Sequence, residues 1–343
     1  MRKLLNVLYV TSPDSYLARD GENVLVLVGE ETRGRVPIHN LEGIVHFGYT
    51  GASPALMALC VEHGVALTFC TEHGRFLARV TGPVNGNVLL RRRQYRLADD
   101  ESACVQISRA VVVGKIANGR TVLQRALRDY PERMAGTGVA ATVKQLARIG
   151  GSVPESMSLD GLRGLEGEAA QVYFGVLDHL ILDQKQAFYM RLRSRRPPRD
   201  PFNALLSFLY MLLAHDVAAA LETVGLDPAV GFMHRDRPGR ASLALDIMEE
   251  LRPYLADRLA LSLVNRKQVS SSGFTSRESG AVYMNDATRK TVIQAWQERK
   301  REPVTHIFLN EKLESGLLPY AQALLLARHV RGDIDGYPPF IFK

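Results

Sequence analysis

The sequence has 343 residues, enough for two domains at ~100–200 residues each and for a sizeable core without covalent staples. A composition of 46% hydrophobic and 23% charged residues excludes a disordered, collagen-like or disulfide-scaffold chain. The formal net charge is +7, but residues 1–90 carry seven basic and eight acidic side chains, so the positive excess lies wholly in the remainder. That asymmetry suggests a polyanion partner, most simply nucleic acid. Three cysteines, an odd number, fit a reducing compartment.

The first ninety residues read as β structure. Residues 4–10 form a short apolar run, and 16–19 and 23–28 flank Asp20-Gly21 as a hairpin. Residues 35–38 and 44–47 are further short strands. Ser53 and Pro54 open a helix that Gly64 closes. Residues 65–70 and 75–80 flank Glu72-His73-Gly74 as another hairpin, and Gly82 to Gly86 is a candidate linker.

From about Val88 the period becomes helical. Residues 139–149, 159–182, 203–224, 242–264 (with a kink or break at Pro253), a segment capped by Asn285 or Asp286 and ending near Arg301, and 317–330 read as helices. Residues 270–273 and the Gly280 region form a loop or small hairpin. The expectation is an α+β chain: a small N-terminal β-sheet domain, residues 1–87, followed by a larger all-α C-terminal domain, residues 88–343. No segment reads as a membrane span, since the most apolar, residues 205–214, falls short of the ~20 residues required. No signal peptide is read after Arg2-Lys3, and the expected location is the cytoplasm.

Chemistry concentrates in the basic half. Glu166 lies in a helical stretch between Gly164 and Gly167, each of which costs ~1 kcal/mol against Ala; this suggests close approach by something else, with tight helix–helix packing and a solvent-facing Glu166 the plainer alternative. His234 sits in a loop with Arg235, Arg237 and Arg240. Asp246 and Glu249 share one helix face, with Arg252 three residues further on, where an intrahelical ion pair is the plainer alternative. Two or three carboxylates and one imidazole form an oxygen-rich set that suits Mg²⁺ or Mn²⁺ better than zinc. Beside a basic surface such a set suits phosphodiester chemistry. A rival pattern, Cys60-x-x-His63 with Cys70-x-x-His73, is rejected, because a strand from Val65 carries Cys70 ~16 Å along.

Arg191, Arg193, Arg195 and Arg196, stiffened by Pro197-Pro198, are the best candidates for holding a phosphate backbone, followed by Arg235, Arg237 and Arg240. The triplets Arg91-Arg92-Arg93 and Arg299-Lys300-Arg301 are further basic clusters, the second complementing a helix C-terminus.

The segments LRGLEGEAAQVYF, DPFNALLSFLYMLL, GFMHRDRPGRASLALDIMEELRP and YPPFIFK resemble the CRISPR-associated integrase family, the catalytic subunit of spacer acquisition, and are most similar to type I-C versions. The resemblance spans essentially the whole chain. It implies a metal-dependent DNA endonuclease and integrase that inserts prespacer DNA into the CRISPR array by 3′-hydroxyl transesterification. The implied metal ligands are Glu166, His234 and Glu249, with Asp246 a neighbouring acid and Arg252 a nearby base. Many relatives carry Asp where Glu249 stands, which leaves open whether Asp246 or Glu249 is the closer ligand. The implied partners are duplex DNA, a second copy held through the N-terminal domain, and a small ferredoxin-like second adaptation protein completing a heterohexamer. A structure-selective nuclease on branched DNA and a non-catalytic DNA-binding scaffold are the competing readings.

Overall fold

The computed structural model describes residues 7–12, 14–72, 76–80, 82, 88–153, 158–195 and 197–343. Contacts divide the chain into residues 1–86 and 87–343. Most of the candidate linker and Arg196 lie outside the described residues.

In the first unit, short apolar runs become β1 (Val7–Val10), β2 (Ser15–Asp20), β3 (Asn23–Val28), β4 (Glu31–Pro37), β5 (Gly43–Phe47), β6 (Ala66–Cys70) and β7 (Phe76–Val80), with α1 (Pro54–Glu62) before β6. Gly21 takes a positive φ of 59°, which lets Asp20 face Asn23 across the tight turn of the β2–β3 hairpin. Ser53 Oγ accepts the Leu56 N–H at 3.2 Å and starts α1. The strands form two sheets, an antiparallel β2-β3-β4 meander and a mixed β1-β5-β6-β7 sheet. In the second, β1–β5 and β5–β6 pair in parallel, and α1 makes the crossover between β5 and β6. Leu17, Val24, Ile38, Ile44, Leu56, Leu59 and Leu67 join sheets and helix into one core. Cys60 and Cys70 are buried there, and burial pushes their thiols up to about 11 and about 12. They stay protonated and carry no metal-binding thiolate. His63 pairs with Glu22 at 3.0 Å, while His73 lies outside the described residues.

The second unit is built on α3 (Glu101–Asp129), 29 residues long. Around it run α2 (Val88–Ala98), α4 (Pro131–Met134), α5 (Val139–Gly151), α6 (Leu159–Leu177), α7 (Pro201–Thr223), α8 (Ser242–Arg252), α9 (Arg258–Asn265), α10 (Asp286–Arg301) and α11 (Leu318–Arg331). Asp200 caps α7 by accepting the Asn203 N–H at 2.7 Å, with Pro201 at the first helical position. Length and composition alone would let α7 cross a membrane, but its apolar side chains from Phe202 to Leu221 pack into this unit. Pro253 does not break the chain's helical course. Residues 253–257 form a π-helical turn that joins α8 to α9. The domain departs from all-α in two antiparallel hairpins, β8 (Phe274–Ser276) with β9 (Val282–Met284), and β10 (Pro303–His306) with β11 (Glu311–Glu314). The expected helix to residue 182 ends at Leu177 and passes into a 3₁₀ turn.

The C-terminal segment is held against α3 and α8 by buried polar groups. Asn118 Nδ2 donates to the carbonyls of Glu250 and Phe340 at 2.7 and 2.9 Å, and its Oδ1 accepts the Phe342 N–H at 3.1 Å. The Glu250 carboxylate accepts from Gln322 Nε2, Tyr337 Oη and the Phe340 N–H. No cation among the described residues pairs with it, and burial outweighs these donors to push its carboxyl up to about 8. The native state thus keeps a proton that the unfolded chain has released above ~4.5. Melting temperature is expected to fall between about pH 5 and 8, and to fall less in Glu250→Gln. Calorimetric melts across that range check this. Gly114 is required at the same contact, since a Cβ there would lie 2.9 Å from Pro339 Cβ and 3.1 Å from Glu250 Cβ. Gly114→Ala is expected to cost about 1–3 kcal/mol by overpacking, measured by denaturant unfolding.

Candidate active site

Asp246 organises the His234 loop. It lies in the first half of α8, and its carboxylate accepts the backbone N–H groups of Phe232 (2.7 Å), Met233 (2.9 Å) and His234 (3.0 Å). The fourth donor is the His234 ring, whose Nδ1 lies 2.6 Å from Asp246 Oδ1. A carboxylate only accepts, so Nδ1 carries a proton, which leaves Nε2 as the ring nitrogen able to present a lone pair. Asp246 is saturated by these four donors and buried to 1% exposure. Gly231 makes the wrap possible, because a Cβ there would stand 2.8 Å from Asp246 Oδ2 and 2.9 Å from Ser242 Cβ. From α6, Arg163 Nε donates to the Met233 carbonyl at 2.7 Å and ties the loop to the helix that carries Glu166.

Glu166 and Glu249 meet one cation. The Lys115 ammonium, from the middle of α3, contacts Glu166 Oε1 and lies 2.6 Å from Glu249 Oε2. On its other side Glu249 Oε1 takes Arg252 Nη1 at 2.6 Å. The expected intrahelical pair therefore exists, but it is buried rather than solvated, with Glu249 side-chain exposure of 4%. Burial alone would push the Glu249 carboxyl up; Arg252 and Lys115 outweigh it and hold it down at about 2. Despite that ammonium, Glu249 Oε2 makes no directed hydrogen bond. No three His, Cys, Asp or Glu side chains stand in closed metal-binding geometry among the described residues. Glu166 and Glu249 converge on Lys115, and His234 is fixed to Asp246 beside them.

An aromatic and ionic layer supports Arg252. Its guanidinium lies 4.8 Å from the centre of the Tyr210 ring, and that of Arg193 lies 5.2 Å from the same ring. Tyr210 and Tyr173 donate to the two oxygens of Asp257 at 2.6 and 3.0 Å. Burial pushes the Asp257 carboxyl up to about 6 despite these bonds. Next to this layer is a small pocket, partly open to solvent, lined by Lys115, Ala169, Tyr173, Arg193, Tyr210 and Arg252 among others.

The arginine candidates divide. Arg193 turns inward and donates to Asn203 Oδ1 at 2.7 Å and Ser207 Oγ at 3.2 Å. Arg191, Arg195 and Arg237 are exposed. Arg235 is exposed and reaches Asp160 on α6 at 3.2 Å, whereas Arg240 bonds Ser242 Oγ and the Arg235 carbonyl. Lys300 is buried against Asp216 at 2.8 Å, and Arg299 donates to the Tyr254 carbonyl at 2.9 Å, so these two belong to the core. Gly164 and Gly167 are exposed, and nothing lies within 4 Å of a Cβ built at either. Neither close approach nor helix–helix packing is therefore made at these glycines by the described residues. Sequence reasoning missed Lys115, Arg163, Tyr210 and Asp257. A lone lysine in the apolar run of residues 111–116 was the one available signal.

The chain thus has two units, one sheet-built and one helical with a cation-bridged acid pair. The family model for CRISPR associated protein Cas1 matches residues 8–298. CRISPR-associated endonuclease Cas1 1 of Chlorobaculum tepidum is 51% identical over 343 residues, covering 100% of both chains. Among solved structures, the Cas6-RT-Cas1 chain of a complex with Cas2 superposes with a TM-score of 0.82 at 22% identity, over 100% of this chain and 37% of its own. A casposase bound to integration product gives 0.81 at 19% identity, over 97% and 93%. The chain belongs to the Cas1 family.

Because Asp246 holds three amides and an imidazole, Asp246→Asn is expected to place an amide N–H₂ against a donor and free the loop. Charge-assisted hydrogen bonds contribute ~1.5–3 kcal/mol, so hydrogen exchange at Phe232, Met233 and His234 should accelerate roughly 10–100-fold with the global fold retained. Unchanged protection of those amides would contradict this account of the loop.

Proposed function

We propose that the chain is a divalent-metal-dependent DNA endonuclease and integrase of CRISPR adaptation, inserting prespacer DNA into the array. The observation that carries this reading is the convergence of Glu166 and Glu249 on one buried cation beside an oriented imidazole. Mg²⁺ or Mn²⁺ fits that donor set: two carboxylates, an imidazole Nε2, and a buried Glu249 oxygen without a directed hydrogen bond. Glu166, His234 through Nε2, and Glu249 would hold the ion. Glu249 is preferred to Asp246, whose oxygens are committed to the His234 loop. Bound there, the ion supplies Lewis-acid stabilisation of charge on the phosphate and on the leaving oxygen.

In the proposed reaction a prespacer 3′-oxygen forms a bond to phosphorus at a repeat boundary, the bond from phosphorus to its former 3′-oxygen breaks, and the attacking hydroxyl loses its proton. His234 would serve as a ligand rather than a base, since Nδ1 is bound to Asp246 and Nε2 would hold the ion. Arg252 keeps Glu249 ionised and in place. The name of the Chlorobaculum relative and the integration product held by the casposase support this chemistry.

The proposed partners are duplex DNA, a second copy, and Cas2, the small second adaptation protein, in a heterohexamer; the Cas2 in the neighbouring complex supports the last of these. Edge strand β7, with Phe76 and Leu77 exposed, supports pairing through the N-terminal unit.

A strand-transfer assay on supercoiled CRISPR DNA tests the reaction. Joined product is expected only with divalent metal and a free 3′-hydroxyl, and Glu166→Ala, His234→Ala and Glu249→Ala should each lower it at least 100-fold while duplex binding persists. Cut strands without joined product would replace integration by branched-DNA cleavage. For the backbone track, replacing the exposed Arg191, Arg195 and Arg237 by Ala should weaken every duplex about equally. It should also flatten the slope of log K against log salt by roughly 0.9 for each phosphate left without its arginine. Affinity measured at several salt concentrations checks this.

A further inference from the structure

The place of Lys115 is unusual for a lysine. It projects from the long, largely buried α3, its side chain is 13% exposed, and both carboxylates it touches belong to other helices, Glu166 on α6 and Glu249 on α8. A long flexible ammonium is seldom buried without a partner, and here it has two. Glu166 and Glu249 would otherwise repel each other in a poorly hydrated place, at a cost far above that of the same pair in water. Arg252 cannot do this work alone. It takes Glu249 Oε1, and the oxygen that shares a cation with Glu166 is Oε2, whose ion-pair partner among the described residues is Lys115.

We propose that Lys115 is the internal counter-ion of the site: its ammonium holds Glu166 and Glu249 together in the metal-free protein, and a divalent ion binds by displacing it. The proposal rests on the reading of these two acids as metal ligands and adds a competitor that the chain itself carries. The consequence is quantitative. If the ion-paired arrangement holds nine-tenths or more of the metal-free population, apparent metal affinity is lowered at least tenfold, because only the unpaired fraction is competent to bind. Displacement also sets the ammonium free beside an anionic substrate without unfolding the acid pair.

The test is calorimetric titration of Mn²⁺ into the full-length protein, without DNA and at fixed pH. Lys115→Met is expected to bind Mn²⁺ at least tenfold more tightly than the parent, equivalent to about 1.4 kcal/mol. Lys115→Arg, which keeps the charge, should stay within about threefold of the parent. Thermal melts give the second readout. Lys115→Met should melt lower than the parent without metal, and gain more from saturating Mn²⁺. Where Lys115→Met does not fold, Lys115→Gln provides the same comparison with a polar chain of similar reach. Glu166→Gln and Glu249→Gln serve as controls. If the parent fails to bind Mn²⁺, or the controls bind it undiminished, both the ligand reading and this proposal fall. If the parent binds, the controls do not, and the affinity of Lys115→Met is unchanged or weaker, this proposal alone is overturned.

Discussion

Two carboxylates brought together inside a protein need positive charge between them, and that requirement governs the helical unit. Glu166 and Glu249 arrive on separate helices, and the buried Glu249 alone would carry a desolvation cost of several kcal/mol. Lys115 from a third helix and Arg252 from one turn beyond Glu249 supply the compensation. Moving either cation would leave a buried acid uncompensated, so α3, α6 and α8 are locked in their mutual positions by charge as well as by apolar packing. The same demand reaches outward. Arg252 shares the Tyr210 ring with Arg193, and Tyr210 is anchored on Asp257.

The helical unit solves a second problem with a different device. A loop cannot aim an imidazole by packing alone, because too few side chains surround it. Here the backbone of residues 232–234 folds around the Asp246 carboxylate, and Gly231 lets it come close enough. The aim of His234 is thus fixed by main-chain hydrogen bonds, which vary little with the surrounding side chains. Arg163 then sets the loop's position against α6, the helix that bears Glu166. One acid coordinates the loop and another faces the cation, although the two stand three residues apart on one helix. Which acid does which follows from the direction of the loop, and spacing on a helix cannot supply it.

Local patterns make much of this architecture legible. Alternating short runs and the Asp20-Gly21 turn locate the strands of the first unit, and the caps at Ser53 and Asn285 locate two helix starts. The parallel pairing of β1 with β5 and β5 with β6 is not legible, because strand periodicity carries no direction of pairing. The full extent of α3 escapes as well. Its core face includes Gly114, Asn118 and Gly119, which blur the apolar period while serving close contact and hydrogen bonding to the C-terminal segment. Pro253 reads as a kink or break, yet a π turn absorbs it. The hairpin of β10 and β11 gives no signal stronger than its charged surface.

At the site, the residues that stand in one or two sequence segments are readable: Glu166, His234, Asp246, Glu249 and Arg252. Those that matter through tertiary contact are not. Lys115 lies 51 residues from Glu166, and Tyr210 lies 47 from Asp257. Their side chains have no local partner, so only the packing of α3 and α7 against α6, α8 and the π turn gives them meaning. The exposed glycines of α6 show the converse. Gly164 and Gly167 cost helix stability, and no packing among the described residues offsets that cost. The charges of the unit are separated by burial: at the acid pair negative charge is internally neutralised by Lys115 and Arg252, whereas Arg191, Arg195 and Arg237 stand at the surface.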